Sequence, residues 1–156
     1  WLYDIVGNEK EENIAMKAHK RIRDYIAMNK DKFGNRCFFC NGRPVYSGIE
    51  LEPTHEGFYH DVRKKIIDGE TYEYVCVFRP GVLQNILVSL GFSDANVVLY
   101  QMRKHGYLKS RDNKRNTSRY IINDYQLDDC IAVYIKLIDV PVIFKSIFEF
   151  PDTFNE

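Results

Sequence analysis

The chain has no net charge: 22 lysines and arginines balance 22 aspartates and glutamates over 156 residues. Any affinity for nucleic acid must therefore come from how charge is distributed rather than from general basicity. Long apolar runs are missing too, which argues against a membrane-spanning helix, and no signal-peptide pattern opens the chain. Cysteine is sparse, with four residues in no dense pattern, and fits a reducing cytoplasm better than a disulfide scaffold. Trp1 stands where a translated chain would carry Met, so an excised piece of a larger protein is expected. The length suits one domain with a proper core, or one domain plus a small appendage.

Catalytic signatures are absent as well. There is no GxxxxGK[ST] phosphate loop, no GxGxxG, no HExxH and no GxSxG. Asp128 and Asp129 are adjacent, but neighbours on a strand point to opposite faces and would not share a substrate. Glu50 with Glu52, and Asp61 beside His60, read as solvated acids. The expectation is a non-catalytic chain with no cofactor.

What is present is concentrated between Pro80 and Ile122. Pro80 suits a first helical turn, where a missing N–H costs nothing. Leu83, Ile86, Leu87 and Leu90 follow at helical spacing, and Gly91 ends that helix. Ser93 or Asp94 can cap a second helix, whose inward stripe is Ala95, Val98, Leu99 and Met102. Asn96, Tyr100, Gln101, Arg103 and Lys104 are left outside, and Gly106 terminates it. Tyr107–Lys109 and Arg119–Ile122 then read as strands around a polar loop. Helix, turn, helix and a two-stranded wing is the layout of a winged helix. The predicted fold class is α+β, a winged helix with an N-terminal helix and an additional β-hairpin.

Charge sharpens this reading. From Gln101 to Tyr120, Arg103, Lys104, Lys109, Arg111, Lys114, Arg115 and Arg119 face Asp112 alone, a local net of +6. Beyond Ile121 the balance reverses, with Asp124, Asp128, Asp129, Asp139, Glu149, Asp152 and Glu156 against two lysines. So one-sided a distribution marks a phosphate-binding face, and DNA is the expected partner. Tyr100, Tyr107 and Tyr120 flank the patch and would stack bases or pack the hairpin, packing being expected for two of the three.

Residues 1–8 read as a linker or the tail of a preceding element, and a helix is expected from about Glu9 to Asn29. The winged-helix domain spans 9–137, with an irregular insertion at 33–57, and 138–156 form an acidic, aromatic tail. Phe58–Ile67 and Thr71–Phe78 read as strands joined by Asp68-Gly69, a strong hairpin signal. Cys130–Leu137 is a further β-rich run placed to complete the sheet. Cys37-x2-Cys40 and His55-x4-His60, fourteen residues apart, satisfy two-Cys, two-His zinc spacing. Pro53 and Gly57 surround the histidines, though, and Cys37-Phe-Phe-Cys40 also reads as a core strand in which Cys is a small hydrophobe. The expected reading is therefore no metal, with a non-finger zinc knuckle through Cys37, Cys40, His55 and His60 as the weaker alternative, since tetrahedral ligation needs only four convergent donors.

The helix ending HKRIRDYIAMNKDKF, Phe78-Arg79-Pro80 leading into a helix, LVSLGFSDANVVLYQMRKHGYL and the closing strands together resemble a known C-terminal region. It belongs to a family of bacterial replication ATPases from phages, plasmids and chromosomal islands, long described as a domain of unknown function and related to minichromosome-maintenance-like helicases. The resemblance covers roughly residues 9–137 and rests on Asn29 and Phe33, Pro80, Gly91-Phe92 and Gly106-Tyr107-Leu108. It implies an ATPase motor upstream, in the same parent chain, and an accessory, cytoplasmic, DNA-binding role for this piece. The alternative is a regulatory winged helix that docks on the motor or a replication partner. The Cys/His segment and the tail lie outside what the family pattern accounts for.

Overall fold

In a computed structural model, the described residues are 2–35, 37–41, 43–46, 49, 51–110, 114–122 and 124–141. Helix α1 runs Leu2–Met28. Its backbone continues through the segment expected to be linker. Ala15, Ala18, Ile22 and Ile26 recur at helical spacing and are fully or nearly fully buried. Strand β1 (Phe33–Gly34) follows, and then β2 (Cys37–Cys40) and β3 (Arg43–Tyr46) pair as a separate two-stranded sheet. The expected irregular insertion thus contains a hairpin, turned at Asn41 in a left-handed conformation that Asn tolerates.

Strands β4 (Gly57–Ile67) and β5 (Glu70–Phe78) form the expected antiparallel hairpin. Asp68 and Gly69 both take positive φ, 51° and 77°, as a two-residue turn matching strand twist requires. Helix α2 is Val82–Ser89 and α3 is Ala95–His105. Pro80 does not open α2 as expected. It sits in the turn before Gly81, whose φ of 80° makes it the N-terminal boundary residue. Leu83, Ile86 and Leu87 of α2 are buried, as are Ala95, Val98, Leu99 and Met102 of α3, the two predicted stripes.

The wing differs from expectation in its pairing. Strands β6 (Leu108–Lys109) and β7 (Ser118–Ile122) do not pair with each other. Both pair antiparallel with β8 (Tyr125–Ile135), β6 through Ala132 and Val133 and β7 through Tyr125 to Cys130. The polar segment between them is an excursion, across which Ser118 Oγ donates to the Lys109 carbonyl at 3.2 Å. The wing hairpin is instead β7–β8, turned at Asp124 (φ 68°). Strand β8 also pairs with β5, giving the order β1-β4-β5-β8-β6 with β7 beside the first half of β8. A bulge falls between Ser118 and Tyr120, opposite Asp129 with φ 58°. Bulges bend a hairpin, and this one carries Tyr120 onto Phe58 and His60 of β4, ring centroids 5.7 and 6.3 Å away.

After β8, a short 3-10 turn at Leu137–Asp139 closes on α1. Asp139 accepts from Nε and Nη2 of Arg23 at 2.7 and 3.2 Å, Val140 is buried, and Asn35 donates to the Pro141 carbonyl. The first residues of the expected tail are therefore part of the packed domain, and 142–156 lie outside the described residues. Among the described residues no helix is long and apolar enough to cross a membrane. Burial raises the thiol pKa of Cys76, and of Cys130 to about 11, so both act as small hydrophobes.

Helices and sheet are joined at His19, which is 3% exposed. Its Nε2–H donates to the Tyr134 carbonyl at 2.7 Å, and its ring stacks on Tyr107 at 3.9 Å and meets Tyr72 edge-on at 5.5 Å. Tyr107 stacks on its other side with His105, 4.6 Å away. Burial lowers the His19 pKa from 6.5 to about 4; nearby Arg23 adds to this, and the Tyr134 bond, Asp139 and Glu70 oppose it. The folded state thus keeps His19 neutral while the unfolded chain takes a proton near 6.5. The stabilisation is complete above that pH and is lost as pH falls towards 4, by about 3 kcal/mol. Urea unfolding at pH 7, 5.5 and 4 should show that loss, and His19→Gln should flatten it. Equal slopes for both proteins would remove His19 from the account.

Candidate nucleic-acid interface

Helix α3 is held by caps at both ends. Asp94 Oδ1 accepts from the backbone N–H of Asn96 and Val97 at 3.1 and 3.3 Å, taking up otherwise orphaned donors. Gly106 (φ 97°) ends the helix, and Tyr107 N–H closes back on the Met102 carbonyl at 2.9 Å. With Ala95, Val98, Leu99 and Met102 buried, the opposite face has nowhere to turn but outward. Asn96, Tyr100 and Lys104 are exposed, and Gln101 and Arg103 are partly exposed. The Arg103 guanidinium and Lys104 ammonium lie 5.4 and 5.1 Å from the centre of the Tyr100 ring. This clusters two cations on an exposed aromatic. Both sit in the last turn, where the helix dipole favours positive charge.

In the excursion between β6 and β7, expected as the wing loop, Lys114 and Arg115 are exposed and Lys109 at its start is partly so, while Arg111 lies outside the described residues. Arg119 Nε is bonded to Asp128 Oδ1 at 2.8 Å, both side chains more than half exposed. Exposed pairs of this kind contribute little, so a phosphate can replace the carboxylate at small cost. Lys109, Ser110, Ser118, Arg119, Tyr120 and Ile121 line an open groove of about 450 Å³. Of the three tyrosines, Tyr107 and Tyr120 pack inside, where burial pushes Tyr120 up to about 12; Tyr100 alone faces solvent at 40% exposure.

The zinc spacing does not become a cluster among the described residues, where no three His, Cys, Asp or Glu side chains converge on a metal position. His55 Nδ1 accepts from the Glu52 backbone N–H at 3.0 Å, and the His55 carbonyl accepts from Arg79 at 2.7 Å. His60 faces Asp61 and Tyr120, and burial lowers its pKa. Cys40 ends β2, and the Cys37 side chain lies outside the described residues.

The chain sets a helix-turn-helix between the strands of a six-stranded mixed sheet, with a basic segment following it. A family model described as the Cch helix turn helix domain matches residues 13–139. The chain belongs to the Cch helix-turn-helix family. No curated protein and no solved structure matches it. The match to the Cch domain ends at Asp139, so it takes in the Arg23–Asp139 closure as well as the helix pair.

Two features of this Cch domain were not among the sequence expectations. One is His19, since a lone histidine in a helix gives no sign of its burial. The other is Arg63-Lys64-Lys65 on β4, all exposed. Three successive cations on a predicted strand were visible, but the concentration of charge after Gln101 overshadowed them.

The capping geometry sets a test of the interface's rigidity. Asp94→Ala should destabilise the Cch domain by about 1 kcal/mol, read from thermal unfolding. An unchanged Tm would show that α3 does not depend on this cap.

Proposed function

We propose that this domain grips duplex DNA as a non-catalytic, cytoplasmic accessory of a larger mobile-element replication protein whose ATPase motor lies upstream. Membership of a helix-turn-helix family suggests DNA binding, and the resemblance to replication ATPases supplies the parent. The observation that carries the reading is the face that α3 leaves outside. Its Asn96, Tyr100, Gln101, Arg103 and Lys104 combine amide groups suited to base edges with cations suited to phosphates. In this reading α3 enters the major groove, Asn96 and Gln101 meet base edges, and Arg103 and Lys104 flank them. Lys109, Arg111, Lys114, Arg115 and Arg119 hold the backbone from the wing.

A second reading has a specific observation in its favour. Val88 of α2 and Val97 of α3 are 59% and 50% exposed, which suits docking on the motor or on a replication partner. The two readings differ in salt dependence. DNA binding through the wing requires that Lys114→Ala with Arg115→Ala weaken binding to all sequences and flatten the salt dependence by about one unit per lost contact. Gln101→Ala should instead reduce discrimination between sequences with little change in slope. A double variant that binds as well as the unaltered protein would overturn the wing assignment. Absence of duplex binding at moderate salt, together with a defined complex with the upstream domains, would favour docking.

A further inference from the structure

We propose that Arg63, Lys64 and Lys65 form a second phosphate-binding surface, joining the α3 end and the wing groove into one track along a DNA duplex. The inference rests on the reading above and adds a strand that precedes the helix-turn-helix altogether.

Strand β4 is touched at both ends by the two basic elements. At one end His60 lies against Tyr120, whose groove contains Lys109 and Arg119. At the other, Asp68 accepts from His105 Nε2 at 2.5 Å and from the Tyr107 hydroxyl at 3.5 Å, next to Lys104 in the last turn of α3. The three cations lie between these anchors. At strand rise, His60 to Asp68 spans roughly 25 Å, and each DNA strand carries a phosphate about every 3.4 Å of axis. A path of that length meets several phosphates.

The edge is also available. Beyond Phe58 no strand pairs with the free edge of β4 among the described residues. The register breaks between Asp61 and Lys65, so Arg63 and Lys64 lie in a bulge, a feature that re-aims side chains.

Charge at the hairpin favours an anion despite its four acids, because two of them are taken up elsewhere: Glu70 is paired with Lys136 at 2.7 Å and Asp68 with His105. Asp61 lies 3.6 Å from His60, whose lowered pKa leaves the ring uncharged, so Asp61 and Glu73 stand against three cations. Glu73, which faces the bulge in register, has no ion-pair partner among the described residues. Arg63, Lys64 and Lys65 have no ion-pair partner among the described residues, unlike Arg23, Lys32, Arg119 and Lys136. Cations on an edge strand also prevent strand-to-strand association, a role for which one inward-facing charge or the bulge itself is enough. Three in succession exceed that need.

The test is fluorescence anisotropy of a labelled 20-base-pair duplex across a salt series. It compares the unaltered protein, the triple variant Arg63→Gln, Lys64→Gln, Lys65→Gln, and Glu73→Gln. Loss of the three cations should lower the salt slope by about two to three, at roughly 0.9 per lost contact, with weaker binding at every salt. Glu73→Gln should tighten binding, which a misfolded variant would not do. If the unaltered protein binds while the triple variant keeps its slope, this inference fails and the function stands. Aggregation of the triple variant with an unchanged slope assigns the run to edge protection and also overturns the proposal. If the unaltered protein does not bind the duplex, both readings fall.

Discussion

The rest of the structure depends on α3 having one apolar face that must be buried. Ala95, Val98, Leu99 and Met102 are at most 9% exposed, and α3 packs on α1, whose Ala15, Ala18 and Ile22 belong to the same buried core. A fully buried Leu or Met side chain is worth about 1.5–3 kcal/mol relative to exposure. Rotating α3 to hide its cations would forfeit that burial and desolvate charges as well. Hydrophobic packing on one side therefore fixes a polar, basic surface on the other. The candidate interface is what remains once the core has been satisfied.

Strand β8 sets where the other basic residues lie. It pairs with β5, β6 and β7, so Lys109 and Arg119 meet at a shared groove although eight residues separate the end of β6, Lys109, from the start of β7, Ser118. The bulge opposite Asp129 folds the wing over β4, and His19 with Tyr107 ties that sheet to α1 and α3. Basic residues from separate parts of the chain are thus mounted on one packed core. Pre-organisation of this kind lowers the ordering cost of binding.

The local devices were legible in sequence. The 3.6-residue stripes of α2 and α3, Asp94 as cap, Gly91 and Gly106 as stops and Asp68-Gly69 as a hairpin turn each act within a few residues. Their physics is complete in the sequence that contains them. Non-local pairing was not legible. Nothing within Leu108–Ile122 shows that β6 and β7 share β8 as partner, because that choice depends on Ala132, Val133 and Cys130 far along the chain. Pro80 misled for a related reason: it suits a first turn, but the left-handed Gly81 sets the boundary one residue later. Burial of His19 comes from Tyr134, Tyr107 and Tyr72, all distant in sequence. The candidate site was legible where it lies on α3 and the wing, and overlooked on β4, where its position relative to the other cations is a property of the fold.

Direct measurement of duplex DNA affinity against salt, with the unaltered domain, tests the central claim. Binding through α3 and the wing predicts a saturable isotherm whose log affinity falls linearly with log salt, with a slope of about −0.9 for each phosphate held. Because the chain is neutral overall, such a slope can come only from clustered cations. A flat salt response, or no saturable binding at low salt, would contradict the account.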